Sequence, residues 1–281
     1  MALDAKNAHR LREEIIRLGP WHYEIEVADE VSTRVHLDAP QETHATVARM
    51  SFLDAKEPFQ RKLRLLYPEG LQGRSILDCA CNCGVYLFWA KELGAGRCFG
   101  SDVRELWIDQ ARFLLENRTV GTSEEIQFEV RDLYELPRLG LEPFDITLFQ
   151  GILYHLPDVV RGLKVAADLT RELIIVNTST WNDAPDGFLA LGTESVTAPL
   201  SGVYGLNWFP TGPKVVATML AWLGFPEGRL VFWRRDTDNG PRHLGRIEII
   251  AAREAETLAA WDHENRNLLE RCTNLLDLRH P

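Results

Sequence analysis

Along residues 75–177, short apolar runs of strand length alternate with stretches whose apolar positions recur at helical spacing. The runs predict strands at about 75–79, 97–102, 126–131, 144–149 and 172–177, and the intervening stretches predict helices at about 84–94, 105–117 and 158–169. Strand and helix in alternation define an α/β chain with a parallel sheet and helices on both faces. Upstream, Leu11, Ile15, Ile16 and Leu18 mark a helix that Gly19-Pro20 stops. Trp21 to Val27 then alternates like an extended segment, and Thr46 to Tyr67 returns to helical spacing through Phe52, Phe59, Leu63 and Leu66, interrupted near Pro58. These early elements are expected to form a helical cover over a cleft.

Residues 178–211 break the rhythm with Asp183-Ala-Pro-Asp-Gly187, Pro199, Gly202 and Gly205, which predicts a long irregular insertion at the carboxyl end of a strand. A helix from about Pro213 to Leu223 follows. Arg229 to Arg234 and Arg246 to Ala251 then suit an antiparallel hairpin turning at Asp238-Asn-Gly-Pro241. Residues 253–278 read as a charged helix with Leu258, Trp261, Leu268, Leu275 and Leu278 on its apolar side, for packing on the body or on a second subunit of a homodimer. The expected divisions are a cover at 1–70, a core at 71–252 that includes the insertion, and a C-terminal helix at 253–281.

Composition narrows the picture. With 281 residues, 45% hydrophobic and 26% charged, the chain can bury one large core. Its 31 basic and 41 acidic residues leave a net charge of −10, which opposes binding to nucleic acid or to an anionic membrane. No apolar run reaches the roughly 18–20 residues of a membrane span, and Met1 to Arg12 is polar, with no signal-peptide core; the expected location is cytoplasmic. Among five cysteines, Cys79, Cys81 and Cys83 stand at C-x-C-x-C spacing without a further paired ligand. They read as small structural residues, with no metal expected and no disulfide in a reducing compartment.

The chemistry concentrates in Ser75 to Ala90, where an apolar strand runs through a small-residue turn into a helix, with Asp102 closing the next strand. That is a nucleoside-cofactor arrangement. Its turn is Ala80-x-Asn82-x-Gly84, however, and lacks the glycines that bring backbone against a pyrophosphate. S-adenosylmethionine, an adenosine with an amino-acid tail and no pyrophosphate, fits best. A nicotinamide-dependent oxidoreductase would need the missing grip.

Ile76 to Gly84 resembles the first motif of class I S-adenosylmethionine-dependent methyltransferases, with Ala80 and Asn82 in place of two glycines. Asparagine tolerates left-handed backbone, so the second replacement is mild. Gly151-Ile-Leu-Tyr-His-Leu-Pro-Asp158 looks like the segment after the family's fourth strand. The resemblance implies a Rossmann-like, seven-stranded, mostly parallel sheet. Within the family, Gly151-Ile-Leu-Tyr-His, Glu57-Pro-Phe-Gln and Trp208-Phe-Pro-Thr are similar to the subfamily of the tRNA wobble-uridine carboxymethyltransferase. That relative uses a carboxylated cofactor and a basic tRNA surface, and its cationic carboxylate-binding residues find no match here.

By this resemblance Asp78 shapes the cofactor loop near the methionine ammonium, together with Ala80 and Asn82; otherwise it caps a turn. Gly84 opens a helix whose amides can meet a carboxylate, or simply makes a tight turn. Asp102 can accept both ribose hydroxyls, or cap the next helix. Asp132 and Leu133 fall at the adenine edge, or on a surface turn. Gln150 and Gly151 should line the junction of cofactor and acceptor, with Tyr154 as a wall and His155 as either a general base or a structural residue. Trp21, His22 and Tyr23, with Tyr204, Asn207 and Trp208 of the insertion, are the candidates for an aromatic acceptor pocket, against a core role. The expected function is methyl transfer to O or N of a small organic molecule. A tRNA-modifying enzyme and a non-catalytic partner protein of the same fold are the alternatives.

Overall fold

The computed structural model describes residues 5–38, 55–118, 124–198, 200–235 and 244–266. Its centre is a seven-stranded sheet built from β3 (Ile76–Asp78), β4 (Cys98–Asp102), β5 (Ile126–Val130), β6 (Phe144–Gln150), β7 (Thr170–Trp181), β10 (Glu227–Arg235) and β11 (Leu244–Ala252). A small hairpin of β1 (Glu26–Ala28) and β2 (Val31–Ser32) precedes it. The strand order is β10-β11-β7-β6-β3-β4-β5; the central pairs are parallel, and β11 runs antiparallel to both of its neighbours. This is the expected α/β, Rossmann-like, mostly parallel sheet.

Parallel strands covered on both sides have no polar face to show, which is why they read as continuous apolar runs. In β7, Ile175 belongs to one core, whereas Ile174 and Val176 belong to the other. The first core is closed by α1 (Ala5–Arg17), α2 (Lys56–Leu66), α3 (Val85–Lys91) and α4 (Glu105–Asn117), through Ile15, Leu63, Phe88 and Leu114. The second is closed by α5 (Val159–Asp168) and α6 (Pro213–Trp222), through Leu163 and Val216. From β3 the chain moves outward to β4 and β5, whereas β6 and β7 lie on its other side. The order therefore reverses between β3 and β6, which leaves a crevice at the carboxyl ends of these strands.

Several elements differ from expectation. Pro58 lies in the first turn of α2 and does not interrupt it, because amides there have no intrahelical partner to lose. Residues 46–54 of the expected helix lie outside the described residues, as do the Asp238–Pro241 turn and Leu268, Leu275 and Leu278 of the C-terminal helix. The described part of that helix is α7 (Ala259–Glu264), anchored by buried Leu258 and Trp261. The insertion is not irregular throughout. β7 runs on to Trp181 along β11, and β8 (Leu189–Thr193) pairs with β9 (Leu206–Pro210) as an antiparallel ribbon. Its strands lack a fully buried face, with Leu191 60% exposed, so no clean alternation marked them.

The turn after β3 depends on two glycines. Gly84 has φ +73° and begins α3; a Cβ there would lie 2.4 Å from the Phe128 ring. A Cβ on Gly100 would lie 2.8 Å from the same ring and 2.9 Å from Cys81 Sγ. Phe128 thus seals the loop against β4. Gly84→Ala is expected to cost about 2–4 kcal/mol in urea denaturation, by adding left-handed strain to overpacking. An unchanged midpoint would show that the ring has room to move.

Candidate functional site

A cavity of about 690 Å³ occupies the crevice. One of its walls is the loop after β3. Asp102 Oδ2 accepts the Asn82 amide at 3.0 Å, and Oδ1 accepts the Arg104 amide at 3.0 Å. Asn82 adopts φ +50°, and its own Oδ1 takes the Cys83 amide at 2.8 Å, so the residue that replaces a glycine stabilises its own turn. Asp78, Ala80, Asn82 and Asp102 all line the cavity. Gly84 does not, and serves the turn and its packing.

Asp78 Oδ2 is buried and meets no hydrogen-bond partner among the described residues. Burial pushes its pKa up to about 8, against an amide hydrogen bond from Ala80 and with a smaller push from the Asp102 charge. Burial also raises Asp102, to about 6, although the Arg104 and Asn82 amides favour its carboxylate. Gln150 Nε2 is a second buried polar atom on the cavity without a partner in the described structure.

Asp132 and Leu133 reach the cavity as well. Asp132 Oδ1 caps the following turn by accepting the Tyr134 amide at 2.8 Å, and Oδ2 accepts the Tyr204 hydroxyl. Arg104 Nη2 donates to the carbonyls of Val196, Ala198 and Ser201, so the insertion is strapped across this end. His155 lines the cavity beside Tyr154, whose ring stacks on Phe209 at 5.6 Å.

Opposite stand His22 and Tyr23, with Tyr23 4.7 Å from the His22 ring and 5.8 Å from Tyr86. Phe59 is 4.8 Å from Tyr86 and completes an aromatic roof. Burial, with Arg246 adding, lowers the His22 pKa to about 4 and keeps it neutral at pH 7. Trp21 is not part of the roof. It is fully buried, donating Nε1 to the Ile15 carbonyl at 2.8 Å and lying 6.1 Å from Phe113. Asn207 and Trp208 are also absent from the cavity surface: Asn207 donates to the Tyr154 carbonyl at 3.4 Å, and Trp208 packs on the second core. An aromatic or amide in an extended segment can turn to either side, and these three turn toward the body.

A polar chain that the motifs did not reveal crosses the same wall. Lys62, 7% exposed, pairs with Glu248, 5% exposed. Glu248 Oε2 accepts Asn177 Nδ2 at 2.8 Å, and Asn177 Oδ1 accepts Arg246 Nε at 2.5 Å. Arg246 and Glu248 are alternate residues in an otherwise apolar strand, a spacing that sets both on one face.

Cys79 lies in the second core, whereas Cys81 and Cys83 lie in the first, so the three thiols diverge. Burial raises all three pKa values, that of Cys83 to about 12. Among the described residues no group of three or more His, Cys, Asp or Glu is arranged to hold a metal ion, and no helix is long and apolar enough to cross a membrane.

Strand order, the crevice at the point of reversal, and acidic residues at the tips of β3 and β4 define a methyltransferase fold. Residues 77–172 match the family described as methyltransferase domain, and this part of the chain is a class I, S-adenosylmethionine-dependent methyltransferase domain. A tRNA U34 carboxymethyltransferase of Campylobacter hominis is 36% identical over 115 residues, 41% of this chain and 39% of the relative. A ubiquinone biosynthesis O-methyltransferase of Neisseria meningitidis is 26% identical over 132 residues, 46% of this chain and 54% of the relative. The chain thus spans about two fifths to one half of the length of the curated relatives it matches. Among solved structures, the N-terminal domain of EvdMO1, in the presence of S-adenosylhomocysteine and D-fucose, superposes with a TM-score of 0.65 at 17% identity, covering 87% of this chain and 96% of that one. At that identity the likeness concerns the fold.

Proposed function

We propose that this protein transfers the methyl group of S-adenosylmethionine to an oxygen or nitrogen of a small organic acceptor. The observation that carries the reading is the pair Asp78 and Asp102 at adjoining strand tips in one cavity, with a buried Asp78 oxygen left without a partner. The cofactor's groups suit these residues. An ammonium would complete Asp78, ribose hydroxyls would use the remaining lone pairs of Asp102, and Gln150 Nε2 could donate to an oxygen at the junction. When bound, the cofactor supplies an electrophilic methyl carbon. The chain's task is then to position the acceptor and keep water out. In this reading residues 1–70 form the cover, 71–252 the catalytic core and 178–211 the substrate loop.

A cavity of about 690 Å³ suits small-ligand dimensions, and the aromatic roof of Tyr23, Phe59 and Tyr86 suits an organic acceptor. The net charge of −10 argues in the same direction, against a long polyanion. The buried free thiols Cys79, Cys81, Cys83 and Cys98 suit a reducing, cytoplasmic setting. tRNA modification is the second reading, favoured by the likeness to the tRNA U34 carboxymethyltransferases.

Calorimetry is expected to show S-adenosylhomocysteine binding and no heat with NAD. Radiolabelled methyl should pass to members of a panel of small alcohols, phenols and amines. Label in added tRNA would replace the first reading with the second. Absence of binding by S-adenosylhomocysteine would leave the non-catalytic partner.

A further inference from the structure

We propose that Glu194, carried by the β8–β9 ribbon, is a positioning residue that holds His155 as the general base for a hydroxyl-bearing acceptor. This inference rests on the methyltransferase reading and names the class of acceptor. His155 ends a short turn after β6 and lines the cavity, with its ring 4.0 Å from that of Tyr154. Its Nδ1 lies 2.8 Å from Glu194 Oε1, and the two side chains are only 13% and 11% exposed. Glu194 is itself held by the ribbon, its amide bonding the Gly205 carbonyl at 3.3 Å.

The Gly202 amide also approaches Nδ1, at 3.0 Å. One ring nitrogen cannot both accept from Gly202 and donate to Glu194, so the tautomer decides between them. A carboxylate offers only acceptors; facing an unprotonated Nδ1 it would set lone pair against lone pair out of water. With the proton on Nδ1, the contact becomes a charge-assisted hydrogen bond, the stronger of the two. Nδ1 is thus turned to the insertion as a donor, and Nε2 carries the free lone pair for the cavity. Sequence reasoning placed His155 at the junction but had no sign of its orienting partner 39 positions away.

Burial, Arg104 and Arg246 disfavour the imidazolium, Glu194 supports it, and the net effect lowers the His155 pKa from its ordinary value. The ring is therefore neutral and able to take a proton at pH 7. The Tyr154 ring is the other titratable group packed against it. A base at this place is needed when the acceptor must shed a proton as it reacts, which selects an alcohol or phenol over an amine that is neutral at pH 7 and already presents a lone pair. In the step, an oxygen lone pair of the acceptor forms the O–CH₃ bond, sulfur keeps the electron pair of the broken S–CH₃ bond, and the hydroxyl proton passes to His155 Nε2. The products are the methyl ether, S-adenosylhomocysteine and an imidazolium, which returns its proton to solvent.

Long-range ¹H–¹⁵N spectra of the full chain saturated with S-adenosylhomocysteine test this without knowledge of the acceptor, with the His155 signal assigned by its loss in His155→Gln. The expected result is the Nδ1–H tautomer in the unmodified protein. Glu194→Gln should drop the ring's titration midpoint by about one pH unit, and Glu194→Asp should restore part of it. S-adenosylhomocysteine affinity should stay within about twofold in Glu194→Gln, since the residue lies outside the cofactor wall. An Nε2–H tautomer in the unmodified protein overturns the proposal, and so does an unmoved midpoint in a folded Glu194→Gln. Should that variant not fold, the tautomer of the unmodified protein decides alone. Absence of S-adenosylhomocysteine binding would instead overturn the methyltransferase reading, so the two failures are distinguishable.

Discussion

Asp102→Asn is expected to weaken S-adenosylhomocysteine binding by about 10- to 100-fold, or roughly 1.5–3 kcal/mol. The carboxylate serves two purposes at once. Each oxygen accepts a backbone amide, from Asn82 and from Arg104, both at 3.0 Å, and each retains a lone pair that a ribose hydroxyl can use. An amide side chain has one acceptor oxygen. Whichever way it turns, its NH₂ group faces one of those two backbone N–H groups, donor against donor, in a buried place. The turn through Asn82 should loosen, and thermal stability should fall along with affinity. The unmodified protein has a related pH dependence. With its pKa raised to about 6, Asp102 is ionised above that value and protonated below it, so its own contribution to affinity should be lost as the solution is acidified past pH 6, separately from the dependence that Asp78 adds up to about pH 8. Asp102→Asn should lack that limb. Unchanged affinity, measured by calorimetry, would remove Asp102 from the cofactor site.

How much of this was legible without coordinates depends on the range of each interaction. Strands such as Ile174–Val176 announce themselves because both faces are buried, and acidic residues just after such runs mark the strand tips where a crevice opens. Asp78, Asp102, Asp132 and Gln150 could therefore be placed on one cavity from local pattern. Trp21 could not, because an aromatic beside a turn packs inward or outward according to what lies behind it, here Phe113. Lys62 and Glu248 are 186 residues apart, and no periodicity connects them; only the sheet order, which sets Glu248 of β11 against Asn177 of β7, brings the chain together. The ribbon escaped notice for the opposite reason. Its strands cover little core, so the alternation that reveals a half-buried strand was never written into them.

The insertion and the polar chain divide the cavity between them. Arg104 and Tyr204 tie the insertion across the Asp102–Asp132 end, whereas Lys62, Glu248, Asn177 and Arg246 form the wall reached from β7 and β11. A ligand entering at the Asp132 end must share that carboxylate with the Tyr204 hydroxyl. Contacts made by one loop therefore touch both Asp132 and, through Glu194, the His155 ring.

Asp78 should make the ligand-free protein lose stability as pH rises. In an unfolded chain its carboxyl group ionises near pH 4, as roughly any aspartate does, whereas in the folded protein burial delays ionisation to about pH 8. Between those values the folded state holds a proton that the unfolded state has released. The contribution of Asp78 is therefore most favourable below the unfolded value and is lost progressively until pH 8 is passed. Asp78→Asn keeps the shape without the charge, so the ligand-free variant should melt above the unmodified protein at pH 8 and near it at pH 5. Cofactor binding should reverse the balance. An ammonium against the partnerless Oδ2 favours the carboxylate, so binding of S-adenosylhomocysteine at pH 7 should expel up to about one proton. Calorimetry in two buffers of different ionisation enthalpy reads that proton directly. Asp78→Asn should bind more weakly and release none, and equal proton release in both proteins would place the cationic end of the ligand elsewhere.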